Sequence, residues 1–278
     1  MIEFSDVSFT YPYSGAAALR NISLSIDEGI YLLLGENGAG KTTFLHLAAS
    51  LLLPSSGCVT INGSDSRDRK PSTLRSVFFT ADDTEMPADT ISTLARLHGR
   101  VFYPRFDSAM LDENLAAFGI NPSIPLSSMS LGQRKKAIAA YALALRADIL
   151  LLDEPANGLD IGSRDILRSL MARCVEPGQT VIVSTHTTAD LQPLFDGIIM
   201  LRQSNLLFCN TTAHIASRLG FGIYNIPPRE ALFTMNDIGR FRSIVPADPL
   251  SPSEIDIHLL YSSMYSPESR NILNIINT

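Results

Sequence analysis

Residues 35–42, Gly35-Glu36-Asn37-Gly38-Ala39-Gly40-Lys41-Thr42, carry two glycines, a lysine and a threonine at the spacing G-x-x-x-x-G-K-[ST]. The chemistry this spacing serves is the holding of a polyphosphate. Glycines let the backbone curl until successive N–H groups face one anion, and a helix starting at the lysine adds the positive end of its dipole. Lys41 then reaches the β- and γ-phosphates, the Thr42 hydroxyl ligates Mg²⁺, and Thr43 follows in the same turn. At ordinary composition the pattern arises by chance in only about one chain in a hundred of this length. A surface glycine-rich turn is the bland alternative, and the flanks argue against it. The loop follows the apolar run Ile30-Tyr31-Leu32-Leu33-Leu34 and precedes Phe44-Leu45-His46-Leu47-Ala48-Ala49, the strand-to-helix corner that the motif requires.

A second group of residues names a reaction. Ile149-Leu150-Leu151-Leu152-Asp153-Glu154 is four apolar residues followed by two acids. A buried parallel strand reads as a continuous hydrophobic run, and ligands sit at the carboxyl ends of such strands. Asp153 is therefore expected beside the phosphates as a Mg²⁺ ligand, and Glu154 as the general base for an attacking water. Solvated acids at an ordinary strand end are the competing reading, which the nearby phosphate loop disfavours. Upstream, Met129-Ser130-Leu131-Gly132-Gln133 opens another helix. Ser130 as N-cap, a glycine and unpaired helix N–H groups make a second anion site.

With these segments in this order, residues 1 to about 215 resemble the nucleotide-binding subunit of ATP-binding cassette (ABC) transporters. Ser130, Gly132 and Gln133 match the family's L-S-G-G-Q signature, with Met129 in place of Leu and Leu131 in place of the first Gly. The resemblance implies that the signature of one copy completes the phosphate loop of another, two copies closing head to tail on ATP. It implies that Tyr11 stacks on adenine, although a core or turn tyrosine is the alternative. It implies that Asn157-Gly158-Leu159-Asp160 crosses the dimer interface and that His186 contacts the γ-phosphate. One position departs from the pattern. The family's Gln after the strand ending near Thr80 is missing from Thr80-Ala81-Asp82-Asp83. Asp82 is the counterpart, or Ala81 if the alignment slips by one. An Asp accepts from a magnesium aquo shell but adds negative charge near the γ-phosphate. Asp82→Ala is expected to weaken Mg²⁺-dependent hydrolysis; an unchanged magnesium titration would remove Asp82 from the site.

The elements that must hold these groups are legible as alternating strands and helices. Strands are expected at 2–9, 22–26, 30–34, 59–63, 77–80, 149–152, 180–184 and 198–201. Helices are expected from Lys41 to Leu53, from Leu131 to Leu145 and from about Ser163 to Cys174. The pattern predicts an α/β fold: a P-loop NTPase core with a mostly parallel sheet and, as in the resembled family, an N-terminal antiparallel β subdomain. A helical insertion is expected over about 87–129, the surface where the family meets its membrane subunit. A cassette over 1–216 is followed by a small accessory region over 217–278, α/β or irregular. Six of the 16 prolines fall there (Pro227, Pro228, Pro246, Pro249, Pro252, Pro267), which excludes one long helix. Leu219 to Tyr224 reads as a strand and Ser253 to Leu260 as a short capped helix. The latter is similar to the tail helix of ABC-2-type exporter ATPases, which favours export.

Composition bounds the rest. The 278 residues are 45% hydrophobic, with 22 basic against 28 acidic residues and a net charge of −6. That balance disfavours nucleic acid as a partner. Cys58, Cys174 and Cys209 lack metal-ligand spacing and read as small hydrophobes in a reducing compartment. No basic leader and no apolar run of about eighteen residues is present, so a separate transmembrane permease must supply any membrane span. The expectation is an ATP hydrolase using ATP and Mg²⁺, peripheral on the cytoplasmic face of the cell membrane. Its partners are a second ATPase subunit, expected to be a homodimer mate, and that permease. A soluble ABC ATPase working on ribosomes or nucleic acid is the competing expectation; coiled coils and basic arms, which those proteins carry, are missing.

Overall fold

A computed structural model describes residues 1–13, 15–81, 89–185, 194–248, 250 and 253–277. The predicted site residues Asp82 and His186 lie outside the described residues.

Thirteen strands, β1 (Ile2–Phe9), β2 (Leu19–Ile26), β3 (Gly29–Leu34), β4 (Ser56–Ile61), β5 (Ser64–Asp65), β6 (Val77–Thr80), β7 (Ile149–Asp153), β8 (Thr180–Ser184), β9 (Gly197–Arg202), β10 (Asn205–Thr211), β11 (Leu219–Tyr224), β12 (Phe233–Asp237) and β13 (Arg240–Pro246), form three sheets among the described residues. The central sheet has the order β10-β9-β3-β8-β7-β6, parallel except for β10. An antiparallel sheet, β2-β1-β4-β5, covers one of its faces, and a three-stranded antiparallel sheet, β11-β13-β12, lies toward the C-terminus.

The strands of the central sheet are apolar throughout because helices or a second sheet cover each face. Successive residues point to opposite faces. Leu32, Leu34, Leu150, Leu152, Val181 and Val183 therefore enter one core, while Leu33, Leu151 and Ile182 enter the other. The first core is closed by α5 (Ser108–Ala117), α6 (Leu131–Ala144) and α7 (Ile161–Cys174), and the second by α1 (Lys41–Ala48) and the antiparallel sheet. At eight residues α1 is too short to persist alone. Burial of Phe44, Leu45 and Leu47 holds it, each contributing about 1.5–3 kcal/mol. Phe44 also stacks on Phe4 of β1, with ring centroids 4.5 Å apart.

The helix expected to reach Leu53 ends at Ala48. Ser50 takes a left-handed φ of 55°, and Ser50 and Leu51 return their N–H groups to the carbonyls of Leu47 and His46. Such a backbone closure satisfies the last carbonyls without proline. Between β4 and β6 lies α2 (Pro71–Ser76), and the expected helical insertion contains α3 (Ile91–Leu94), a π-helical turn at Ala95–Gly99, α4 (Arg100–Phe102) and α5.

The last third contains α8 (Thr212–Arg218), β11 to β13, α9 (Ile257–Ser263) and α10 (Ser269–Ile276). The strand expected at Leu219–Tyr224 is β11. The expected capped helix begins later than Ser253. Asp256 caps α9 by accepting from the Leu259 N–H at 2.9 Å, while the Ser253 hydroxyl accepts from the Phe221 N–H at 2.8 Å. Ile215, Leu219, Ile244, Leu260, Met264 and Ile276 belong to the same hydrophobic core as Leu32 and Leu150. Among the described residues no helix is long and apolar enough to cross a membrane.

Candidate nucleotide site

The parallel register fixes the site before any side chain is considered. Leu33 of β3 and Asp153 of β7 both pair with Ser184 of β8, so three strands end at one level. The turn at Gly35 and the acids at 153–154 emerge there together. Asp153 and Glu154 line an open cleft of about 630 Å³ with Tyr11, Lys41, Thr42 and Thr43.

The loop keeps its shape through close approach. Gly40 has φ 103°, and a Cβ there would stand 2.6 Å from the Ala18 carbonyl oxygen and 2.6 Å from Leu19 Cδ2. Gly35 lies against β9, where a Cβ would stand 2.6 Å from the Leu201 carbonyl oxygen. Gly40 is also the N-cap of α1 and, being glycine, supplies no side-chain cap. The first-turn N–H groups are thereby left to an anion. The Glu36 carbonyl accepts from the Ala39 N–H at 3.0 Å, and Lys41 Nζ donates to the carbonyls of Gly35 at 2.8 Å and Glu36 at 3.2 Å. Asn37, Gly38, Gly40 and Lys41 line the cleft.

Opposite the loop, Asp153 accepts from the Thr42 hydroxyl at 2.8 Å and from the Ser184 hydroxyl. An aspartate and a threonine hydroxyl in contact are hard oxygen donors suited to Mg²⁺. Glu154 turns away from the strand with φ 51°, its N–H donating to the Ser184 carbonyl at 2.9 Å. That turn keeps both acids on the cleft. Ser184 is fully buried and orients Asp153, a role that no local motif marks. Its signal is a polar residue ending the apolar run Thr180-Val181-Ile182-Val183. His46, whose ring meets Phe79 edge-on at 5.0 Å, also lines the cleft and was not anticipated.

Tyr11 borders the cleft, 39% exposed, with its hydroxyl 3.0 Å from the Thr43 hydroxyl and its ring edge-on to Phe9 at 4.8 Å. It is thus held in place while keeping exposed surface on the cleft.

The signature residues stand apart from this cleft. Ser130 caps α6, accepting from the Gln133 N–H at 3.2 Å, and the Gln133 side chain accepts from the Ser130 N–H at 2.9 Å. This is a complete capping box. Gly132 packs on the turn at 157–158, where its Cβ position would lie 3.6 Å from the Gly158 carbonyl. Lys135 Nζ ties the two segments by donating to the Asn157 carbonyl at 2.5 Å. Asp160 caps α7 through the Ser163 N–H at 2.8 Å, and the N–H and hydroxyl of Ser163 hold its carboxyl below the usual range. Ser130, Gly132, Gln133 and Asp160 do not line the cleft that holds Lys41 and Asp153.

A parallel sheet ending at a phosphate loop, with an acid in contact with the loop's threonine, defines a P-loop nucleoside triphosphatase. Residues 19–157 match the family model described as ABC transporter. The chain is 32% identical over 201 residues to the ABC transporter ATP-binding protein NatA of Bacillus subtilis, covering 69% of this chain and 80% of that protein. It superposes with a TM-score of 0.68 and 22% identity on a putative cobalt transport ATP-binding protein, covering 98% of this chain and 100% of the other. It also matches a dimeric ATP-binding cassette in a post-hydrolysis state bound to ADP and Pi, with a TM-score of 0.63, 23% identity and coverage of 76% and 98%. The chain belongs to the ABC transporter family, as an ATP-binding and ATP-hydrolysing subunit that powers a membrane transporter.

Proposed function

We propose that two copies of this chain close head to tail on ATP and open on hydrolysis, each supplying the phosphate loop of one site and the signature of the other. The carrying observation is the separation within one chain: Lys41, Thr42, Asp153 and Glu154 share a cleft that Ser130, Gly132 and Gln133 do not line. A second anion site that cannot reach the first in its own chain is useful when two-fold symmetry brings it to a partner. Leu131, 52% exposed, and Ile161, 79% exposed, flank the signature and Asp160 and offer apolar surface for that contact.

In this reading the loop from Gly35 to Thr43 holds the phosphates, Tyr11 stacks on adenine, and Thr42 and Asp153 hold Mg²⁺. Asp82 assists at the metal, Glu154 takes the proton of the attacking water, and His186 contacts the γ-phosphate. Asp160 meets the partner across the interface. Mg²⁺ supplies charge neutralisation at the β- and γ-phosphates. The chain's own groups orient the water and the phosphates around it.

The second ATPase subunit is read as an identical copy. A separate transmembrane permease docks on the helical insertion at 87–129, placing the ATPase at the inner face of the membrane. Residues 217–278 are read as an accessory region distinct in role from the cassette at 1–216, although they share its core. The dependence of turnover on concentration tests the dimer. Specific activity at saturating ATP should rise with protein concentration until the dimer is saturated. Constant specific activity together with a monomeric mass would show that one chain suffices.

A further inference from the structure

The C-terminal region touches the strand that backs the phosphate-binding loop. Gly35 rests against the Leu201 carbonyl, and the next residue of β9, Arg202, reaches the end of α9. Its guanidinium donates to the Met264 carbonyl at 2.6 Å and lies 4.9 Å from the centre of the Tyr265 ring. The Tyr265 hydroxyl is buried and makes no hydrogen bond among the described residues. Burial, and after it Tyr261, whose ring lies 5.0 Å away, and the negative charge of Glu36 in the loop push the pKa of the Tyr265 hydroxyl up and keep it protonated. Glu36 is the residue whose carbonyl accepts from Lys41 Nζ and the Ala39 N–H. A path thus runs from the end of α9 through Tyr265 and Arg202 to β9, whose Leu201 carbonyl packs on Gly35 at the start of the phosphate cradle.

We propose that Tyr265 and Arg202 are positioning residues for the phosphate-binding loop, linking the C-terminal region to ATP affinity. The inference rests on the loop's role as the ATP site. Neither side chain lines the cleft, so they act through β9 and Gly35. The half-buried guanidinium over the Tyr265 ring fixes Arg202 against the end of α9, and with it the strand whose Leu201 carbonyl backs Gly35. Bracing of this kind favours the shape that binds, and the bond-breaking groups Asp153 and Glu154 are left untouched. The effect should therefore appear in binding and in KM, with little change in kcat.

The test measures ATPase kinetics and binding of a fluorescent ATP analogue on full-length variants. Tyr265→Ala and Arg202→Ala should each raise KM and the analogue's Kd about fivefold, equivalent to about 1 kcal/mol, with kcat within about twofold of the parent. Combining them should cost little more than either alone, because they form one link. Tyr265→Phe keeps the ring over Arg202 and should bind within about twofold of the parent. His214→Ala serves as the control, since His214 lies 2.9 Å from the Ile276 carbonyl and fastens α10 elsewhere. It should lower Tm without moving Kd. Unchanged Kd in Tyr265→Ala and Arg202→Ala, or an equal rise in His214→Ala, would overturn the proposal. Should Tyr265→Ala fail to fold, Arg202→Ala carries the same test. Lys41→Ala separates the two levels: if it binds the analogue like the parent, the loop is not the ATP site; if it alone loses binding, only the positioning role falls.

Discussion

Glu154→Gln is expected to lower ATP turnover by about 10² to 10⁴-fold, the range associated with losing a general base. Glutamine keeps the size of the side chain and cannot accept the proton of the attacking water. The backbone that sets the position, with φ 51° and an N–H donated to the Ser184 carbonyl, does not depend on the carboxylate. Nucleotide binding should therefore survive, because Lys41, Thr42 and Asp153 are untouched. Steady-state hydrolysis and equilibrium binding measured on the same preparation check this. Parent-like turnover would remove Glu154 from the chemistry.

Ser130→Arg is expected to lower turnover by about 10² to 10³-fold, the scale of losing a preorganised donor at a transition state. Ser130 donates nothing to its own chain's cleft, so ATP affinity of the monomer should hold while hydrolysis fails. Loss of the cap on α6 costs about 1 kcal/mol, too little to unfold a domain of this size. The discriminating measurement is a mixture of Ser130→Arg with Lys41→Ala. Pairing the two variants restores one intact composite site, so activity should reappear on mixing. A mixture no more active than its components would argue that the signature serves its own chain.

How much of this was legible in the sequence follows from how local each determinant is. The loop at 35–42, the acids after the apolar run at 149–152 and the Ser130 cap each depend on a few adjacent residues, and the strand-to-helix corner, the strand end and the helix cap fall at those residues. Ser184 escaped because its partner, Asp153, is brought to it only by strand register. The end of α1 carries no such local mark, because the turn at Ser50 needs neither glycine nor proline. In the tail, Ser253 and Asp256 are equally good caps by type. The choice fell to Asp256 once Ser253 was taken by β11, a contact between distant segments. Arg202 and Tyr265 meet each other behind the loop through tertiary packing alone, and no local pattern announces it.

The central claim is that this cleft is half of a site. It is tested most directly by sedimentation of Glu154→Gln with and without ATP and Mg²⁺. Because that variant should bind ATP without hydrolysing it, the mass is predicted to double when ATP is added and to return to one chain when Lys41→Ala or Ser130→Arg is introduced as well. A Glu154→Gln chain that remains monomeric at saturating ATP, with binding confirmed on the same sample, would contradict it.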